Sequence, residues 1–133
     1  MAEKIFINYA HRGASEYTPE NTFLAFYTGI YMGANGIETD VQKTKDGVLV
    51  LFHDDTLERV TGERGAIEDY TYSELKNFDV KKGKISDKIV TLEDFLERFA
   101  FRNITFAIEL KNSGYEKEVA EFITKYKIIK KCV

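Results

Sequence analysis

Apolar and polar positions along the chain change period several times, and each change marks an element. Ile5 to Ala10 reads as a first strand, followed by a loop from His11 to Thr18. Thr18 suits an N-cap and Pro19 the first helical position. Phe23, Phe26, Tyr27, Ile30 and Tyr31 then recur at i, i+3, i+4, the spacing of one helix face. Gly33 and Gly36 suit the end of that helix. The next run, Gly36 to Val41, looks like an interior strand, yet Glu38 and Asp40 sit two apart in it. Residues two apart in a strand share a face.

Thr44-Lys45-Asp46-Gly47 is a turn signal before Val48 to Phe52, and Asp-Gly favours a two-residue hairpin loop. Such a loop sets Asp40 opposite His53 (Glu38 opposite His53 if the tip is Lys45-Asp46); a three-residue loop breaks this placement. Residues 54–90, rich in charge and glycine, read as an insertion with one short helix near Tyr72 to Phe78. Thr91 caps a helix with Asp94 three residues on and an apolar face of Leu92, Phe95, Leu96 and Phe99. Ile104 to Leu110 is a further strand. Ser113 and Glu116 open a third capped helix that buries Val119, Ala120, Phe122, Ile123 and Tyr126. Ile128 onward reads as a last strand. The alternation predicts an α/β fold with four parallel strands, an appended hairpin, and either a small open sheet or half of a closed barrel.

Composition narrows the function classes. The chain has 133 residues, 44% hydrophobic and 31% charged, with a net charge of -3, as expected of one globular domain. A nucleic-acid partner calls for a basic face, which this balance does not supply. No apolar run approaches the ~20 residues of a membrane helix, and the first residues lack the signal-peptide pattern. Cys132 is the single cysteine, so an internal disulfide is excluded and a cytoplasmic location is expected.

Candidate chemistry gathers at one edge. Glu38, Asp40 and Glu109 fall near the C-terminal ends of parallel strands, where ligands bind in such folds. Clustered carboxylates without cysteine suit one hard divalent cation, Ca²⁺ or Mg²⁺. Lys111, two after Glu109, is placed either to pair with it or to hold a phosphate oxygen. His11 and His53, the two histidines, map to the same edge and suit proton transfer in both directions. Arg12 offers a fork of donors for a phosphate, and Gly13 permits a sharp turn beside it. A cation, an arginine and a lysine favour phosphoryl chemistry.

The stretches "HRGASEYTPENTFLAF", "GIETDVQKTKDGVLVLFHDDTLERVTG" and "IELK", in that order, resemble the glycerophosphodiester phosphodiesterases from about Ile7 to the end of the chain. The resemblance implies a TIM barrel, (β/α)8, of which residues 1–133 form about the first half as a single partial domain. It implies metal-dependent hydrolysis of a small-molecule glycerophosphodiester to glycerol 3-phosphate and an alcohol. By matching positions, His11 and His53 become the acid-base pair, Glu38, Asp40 and Glu109 the metal ligands, and Arg12 and Lys111 the phosphate binders. Asn21 either supports the His11 loop or caps a helix start. Residues 54–90 become a small region capping the pocket. A barrel of this kind typically takes about 250 residues, so weak turnover is expected of this stretch alone. Exposed strand edges are expected to favour self-association. A non-catalytic module that binds phosphate head groups is the alternative, and a sibling barrel enzyme acting on phospholipids a third reading.

Overall fold

The computed structural model describes residues 6–133. Its main sheet is built around one long strand, β2 (Gly36–Lys43). On one edge, β2 pairs in parallel with β6 (Thr105–Leu110), from Gly36 opposite Thr105 to Val41 opposite Leu110. Its other edge is shared. β1 (Tyr9–His11) runs parallel along Gly36 to Glu38, and β3 (Leu49–Leu51) returns antiparallel along Val41 to Lys43. Two further strands, β4 (Asp79–Lys82) and β5 (Ile85–Lys88), form a separate hairpin.

Three helices cover one face of the sheet: α1 (Phe23–Tyr31), α4 (Leu92–Phe99) and α5 (Glu116–Lys125). Alternation in the strands decides what they meet. Ile37 and Val41 of β2 and Phe106 of β6 are fully buried in the main apolar cluster, together with Phe26, Phe95 and Phe99. Phe95 packs 4.8 Å from Phe26 and edge-on to Phe106 at 5.8 Å, the offset geometries that aromatic rings prefer. The opposite face of the same strands carries the polar residues. Gly13 makes the close packing of β1 on α1 possible: it has φ +80°, and a Cβ there would lie 2.5 Å from the Ala25 carbonyl carbon.

Residues 54–90 hold α2 (Glu58–Thr61), α3 (Tyr72–Leu75) and the β4–β5 hairpin. Leu57, Val60, Ile67, Leu75, Val80 and Ile89 fill a second apolar cluster, with Val50 and Phe52 from the main sheet. The Thr91 cap is as expected, its Oγ1 accepting from the Asp94 amide at 3.0 Å. No helix among the described residues is long and apolar enough to cross a membrane.

Several expected elements come out differently. The first strand is shorter and later, Tyr9–His11, and Ile5 lies outside the described residues. Thr18 does not cap α1; its hydroxyl donates to the Ala14 carbonyl, and Thr22 caps instead by accepting from the Ala25 amide. The intervening Asn21 has φ +57°, which no helix tolerates. The hairpin loop has three residues, Lys45 to Gly47, with the Thr44 amide donating to the Val48 carbonyl. Asp40 therefore faces Phe52, whose amide donates to the Asp40 carbonyl, rather than His53. Ser113 does not cap α5. Tyr115 precedes that helix, the Glu116 carboxylate accepts from the Gly114 amide, and Ala120 is exposed.

The chain from Ile128 is not a strand. Ile128 is buried, but Ile129–Lys131 form a 3-10 turn, and one isolated parallel bridge joins Phe106 to Cys132. The Lys131 amide closes this turn by donating to the Ile128 carbonyl at 2.8 Å, and its ammonium donates to the Ala100 and Arg102 carbonyls at 2.8 Å each, contacts that the turn allows. Among the described residues, three parallel strands and one bridge thus stand in place of the four expected.

Candidate functional site

The polar face of the sheet brings the three predicted carboxylates together. Asp40 lies directly opposite Glu109 in the parallel register, and Glu38 precedes Asp40 by two on the same face. One oxygen from each of Glu38, Asp40 and Glu109 lies within 4.8 Å of the others. Burial, with the Asp40 charge beside it, pushes Glu38 up to about 7. Asp40 is fully buried, and its Oδ1 has no hydrogen-bond partner among the described residues. Buried carboxylate oxygens are nearly always satisfied, so an orphan among two further acids fits a position that coordinates a cation. The all-oxygen donor set suits Ca²⁺ or Mg²⁺ in kind.

The loop after β1 closes one side of this cluster. His11 pairs in register with Glu38, and its Nε2 lies 3.5 Å from Glu38 Oε2. The ring is mostly exposed. Arg12 turns the chain at φ +58°, and its amide donates to the Glu38 carbonyl and carboxylate at 2.9 and 3.2 Å. The Arg12 guanidinium reaches Glu20 at 3.2 Å and sits 3.7 Å from Asp40 Oδ2. Asn21 is buried and does more than either expectation. Its amide nitrogen donates to Asp40 Oδ2 at 3.1 Å, its carbonyl accepts from Thr39 at 2.7 Å, and its backbone amide donates to the Arg12 carbonyl.

His53 arrives by a different route from the one the hairpin count implies. β3 ends at Leu51, and the chain leaves the sheet before His53. Gln42, buried two residues after Asp40, donates to the carbonyls of Phe52 and Asp54 at 3.0 and 2.8 Å. That clamp on either side of His53 fixes the turn. Asp54 Oδ1 lies 2.8 Å from His53 Nδ1, and Arg59 grips both oxygens of Asp54 at 2.7 and 3.0 Å. Arg59 first, and His53 after it, hold Asp54 down to about 2.

Lys111 follows the end of β6, with its ammonium 3.5 Å from Glu109. Tyr115 anchors this loop: its buried hydroxyl donates to the Val41 carbonyl at 2.8 Å and accepts from the Asn112 amide at 2.9 Å. A cavity of about 670 Å³ opens beyond the strand ends, lined by Gln42, Lys45, Asp55, Glu68 and Asn112. The carboxylate trio does not line it and lies on the open face of the sheet.

Glu20, His53 and Asp54 also cluster closely enough to hold an ion. Here the cation is already present as the Arg59 guanidinium, 2.8 Å from Glu20 and 2.7 Å from Asp54. The two acidic clusters therefore differ in kind. Of the groups that the sequence did not single out, Gln42 carries a signal, being on the Glu38–Asp40 face, and Asp54 is adjacent to His53. Glu20 and Arg59 lie inside the family-like stretches but with no role legible there, and Tyr115 carries no signal, because their partners lie far along the chain or beyond a turn.

A family model described as the glycerophosphoryl diester phosphodiesterase family matches residues 11–130. A glycerophosphodiester phosphodiesterase of Bacillus altitudinis is 42% identical over 130 residues, covering 90% of this chain and 53% of the relative. The crystal structure of a glycerophosphodiester phosphodiesterase from Agrobacterium tumefaciens matches with a TM-score of 0.88 at 31% identity, covering 96% of this chain and 56% of that one. A phosphodiesterase from Oleispira antarctica, solved in complex with the product sn-glycerol-3-phosphate, matches with a TM-score of 0.75 at 32% identity, covering 90% of this chain and 51% of that one. The chain thus spans about half the length of the relatives it matches, and its parallel strands and helices make about half of a TIM barrel.

Proposed function

Because this chain belongs to the glycerophosphoryl diester phosphodiesterase family, we propose that its polar sheet face is built to hydrolyse a glycerophosphodiester to glycerol 3-phosphate and an alcohol. The observation that carries this reading is the partnerless, buried Oδ1 of Asp40, set among Glu38 and Glu109 on the face that His11 joins. The complex of the Oleispira antarctica relative with sn-glycerol-3-phosphate supports the same product here.

Glu38, Asp40 and Glu109 would hold one divalent cation, Ca²⁺ or Mg²⁺. When bound, such an ion supplies positive charge to a phosphoryl oxygen and lowers the cost of charge developing there. Arg12 is kept within reach by Glu20 and offers its remaining donors to the phosphate. Lys111 adds a point charge from the Glu109 side. His11 and His53 divide the proton work: as a water oxygen bonds to phosphorus and the bond to the alcohol oxygen breaks, one accepts a proton from the water and the other gives one to the departing alcohol. His53 is suited to act through Nε2, because its Nδ1 is engaged by Asp54.

Glycerophosphocholine incubated with the chain, with and without EDTA, tests the reading. Choline release that stops with chelator and returns with Ca²⁺ or Mg²⁺ supports it. Tight binding without release would instead favour a phosphate-binding module, a second reading that the exposure of His11 and Glu109 favours. That module would self-associate along the edge of β1 and the stretch of β6 beyond the Phe106–Cys132 bridge, visible as a dimer in light scattering.

A further inference from the structure

Arg59 belongs to α2 in the 54–90 segment, yet its three nitrogens are all committed toward the site. Nε and Nη2 bond both oxygens of Asp54, and Nη1 lies 2.8 Å from Glu20 Oε1. Asp54 in turn meets His53 Nδ1, and the other oxygen of Glu20 meets the Arg12 guanidinium. One planar fork thus stands between the imidazole and the phosphate-side arginine. Resting on the phosphodiesterase reading above, we propose that Arg59 is a positioning residue, clamping Asp54 so that His53 keeps one tautomer and clamping Glu20 so that Arg12 keeps one orientation.

The chemistry follows from what each group can donate. Ionised Asp54 only accepts, so its contact with Nδ1 requires a proton on Nδ1 and leaves Nε2 as the exchanging atom. Asp54 has a further lone pair on Oδ1 and those on Oδ2, and without Arg59 these are free to draw the carboxylate toward water. Glu20 Oε2 is likewise held toward Arg12 only while Oε1 is engaged. A bidentate arginine pair fixes direction as well as charge, which a lysine at the same place does less well. The low value at which Asp54 is held agrees with this order of partners, with Arg59 its largest cause.

The test is the tautomer of His53, which does not depend on turnover. Long-range proton–nitrogen correlation spectra of the ¹⁵N-histidine-labelled chain contain two ring systems, and the His53→Gln variant identifies one of them. At a pH where the ring is neutral, the unmodified chain is expected to show His53 protonated on Nδ1 alone. Arg59→Gln is expected to give a mixture of both tautomers and Arg59→Lys a partial return. Asp54→Asn provides an independent mixture should Arg59→Gln fold poorly. An unchanged single tautomer in a folded Arg59→Gln variant, or in Arg59→Lys and Asp54→Asn together, overturns the proposal. Where turnover is measurable, kcat is expected to fall on the order of 10²-fold in Arg59→Gln, with KM raised as Arg12 loses its orientation toward the phosphate. Absence of turnover in the unmodified chain counts against the phosphodiesterase reading, while the spectra still decide the clamp.

Discussion

Asp40 and Glu109 face each other across the parallel pairing of β2 and β6, yet the Asp40 side chain is 1% exposed and that of Glu109 58%. One proposed ligand position is buried, the other open to solvent. Glu109→Ala therefore separates binding from folding. Without added metal it is expected to change stability by no more than about 0.5 kcal/mol, as at other exposed positions. The unmodified chain, at a Ca²⁺ or Mg²⁺ concentration a hundredfold above Kd, should gain about 2.7 kcal/mol. Glu109→Ala should lose most of that gain. Thermal melts with and without each ion measure both quantities, and an equal metal shift in the two proteins removes Glu109 from the site.

Glu38 makes the metal-free chain sensitive to pH in an unusual direction. Its folded value of about 7 lies above its ordinary 4.5. Between these values the native chain keeps a proton that the unfolded chain releases, so stability falls as pH rises through that window. Urea midpoints in EDTA should drop between the two ends of the window, and Glu38→Gln should flatten the drop. Asp54 has the opposite sign. Its folded value of about 2 lies below 3.8, so its contribution is complete above the ordinary value and disappears as pH falls through 2.

Asn21 is held at φ +57° while bonding Asp40 and Thr39. Asn21→Gly removes the side-chain bonds but tolerates the backbone angle, and should cost about 2 kcal/mol. Asn21→Ala should cost about 1 kcal/mol more, the penalty of a Cβ in the left-handed region. Equal losses in chemical denaturation would show that the backbone angle is not preserved in the variants.

Tyr115→Phe deletes one hydroxyl that serves two backbone groups, the Val41 carbonyl and the Asn112 amide. The expected loss is about 1 to 2 kcal/mol. Amide exchange at Asn112 should accelerate while exchange in α5 stays slow, placing the effect in the loop that carries Lys111.

The elements that read clearly in the sequence were those whose own side chains set them. Phe23 to Tyr31 and Leu92 to Phe99 show a full helical face, and both helices are present. Glu38, Asp40 and Glu109 converge because strand alternation alone fixes their face. What failed depended on distant partners. Thr18 looks like a cap until Asn21 is drawn out of helical geometry toward Asp40. The hairpin count missed by one residue, since Asp46 accepts from Thr44 and from the Tyr72 amide and so holds a longer loop. Ile128 onward has strand-like composition, but Lys131 finds carbonyls beyond α4. Arg59 stands in a family-like stretch, but its role is not legible there because Glu20, its second partner, lies far away along the chain.

The 54–90 segment packs around its own apolar filling and draws on the main sheet chiefly through Val50 and Phe52. Transplanting it from one relative to another is thus a joinery problem: Val50 and Phe52 beneath it, Glu20 beside Arg59 and Asp46 beside Tyr72 must all be matched. Chimaeras made at Phe52 and Val90 should fold when those partners are kept, and any change in the alcohol they release would test whether this segment selects it.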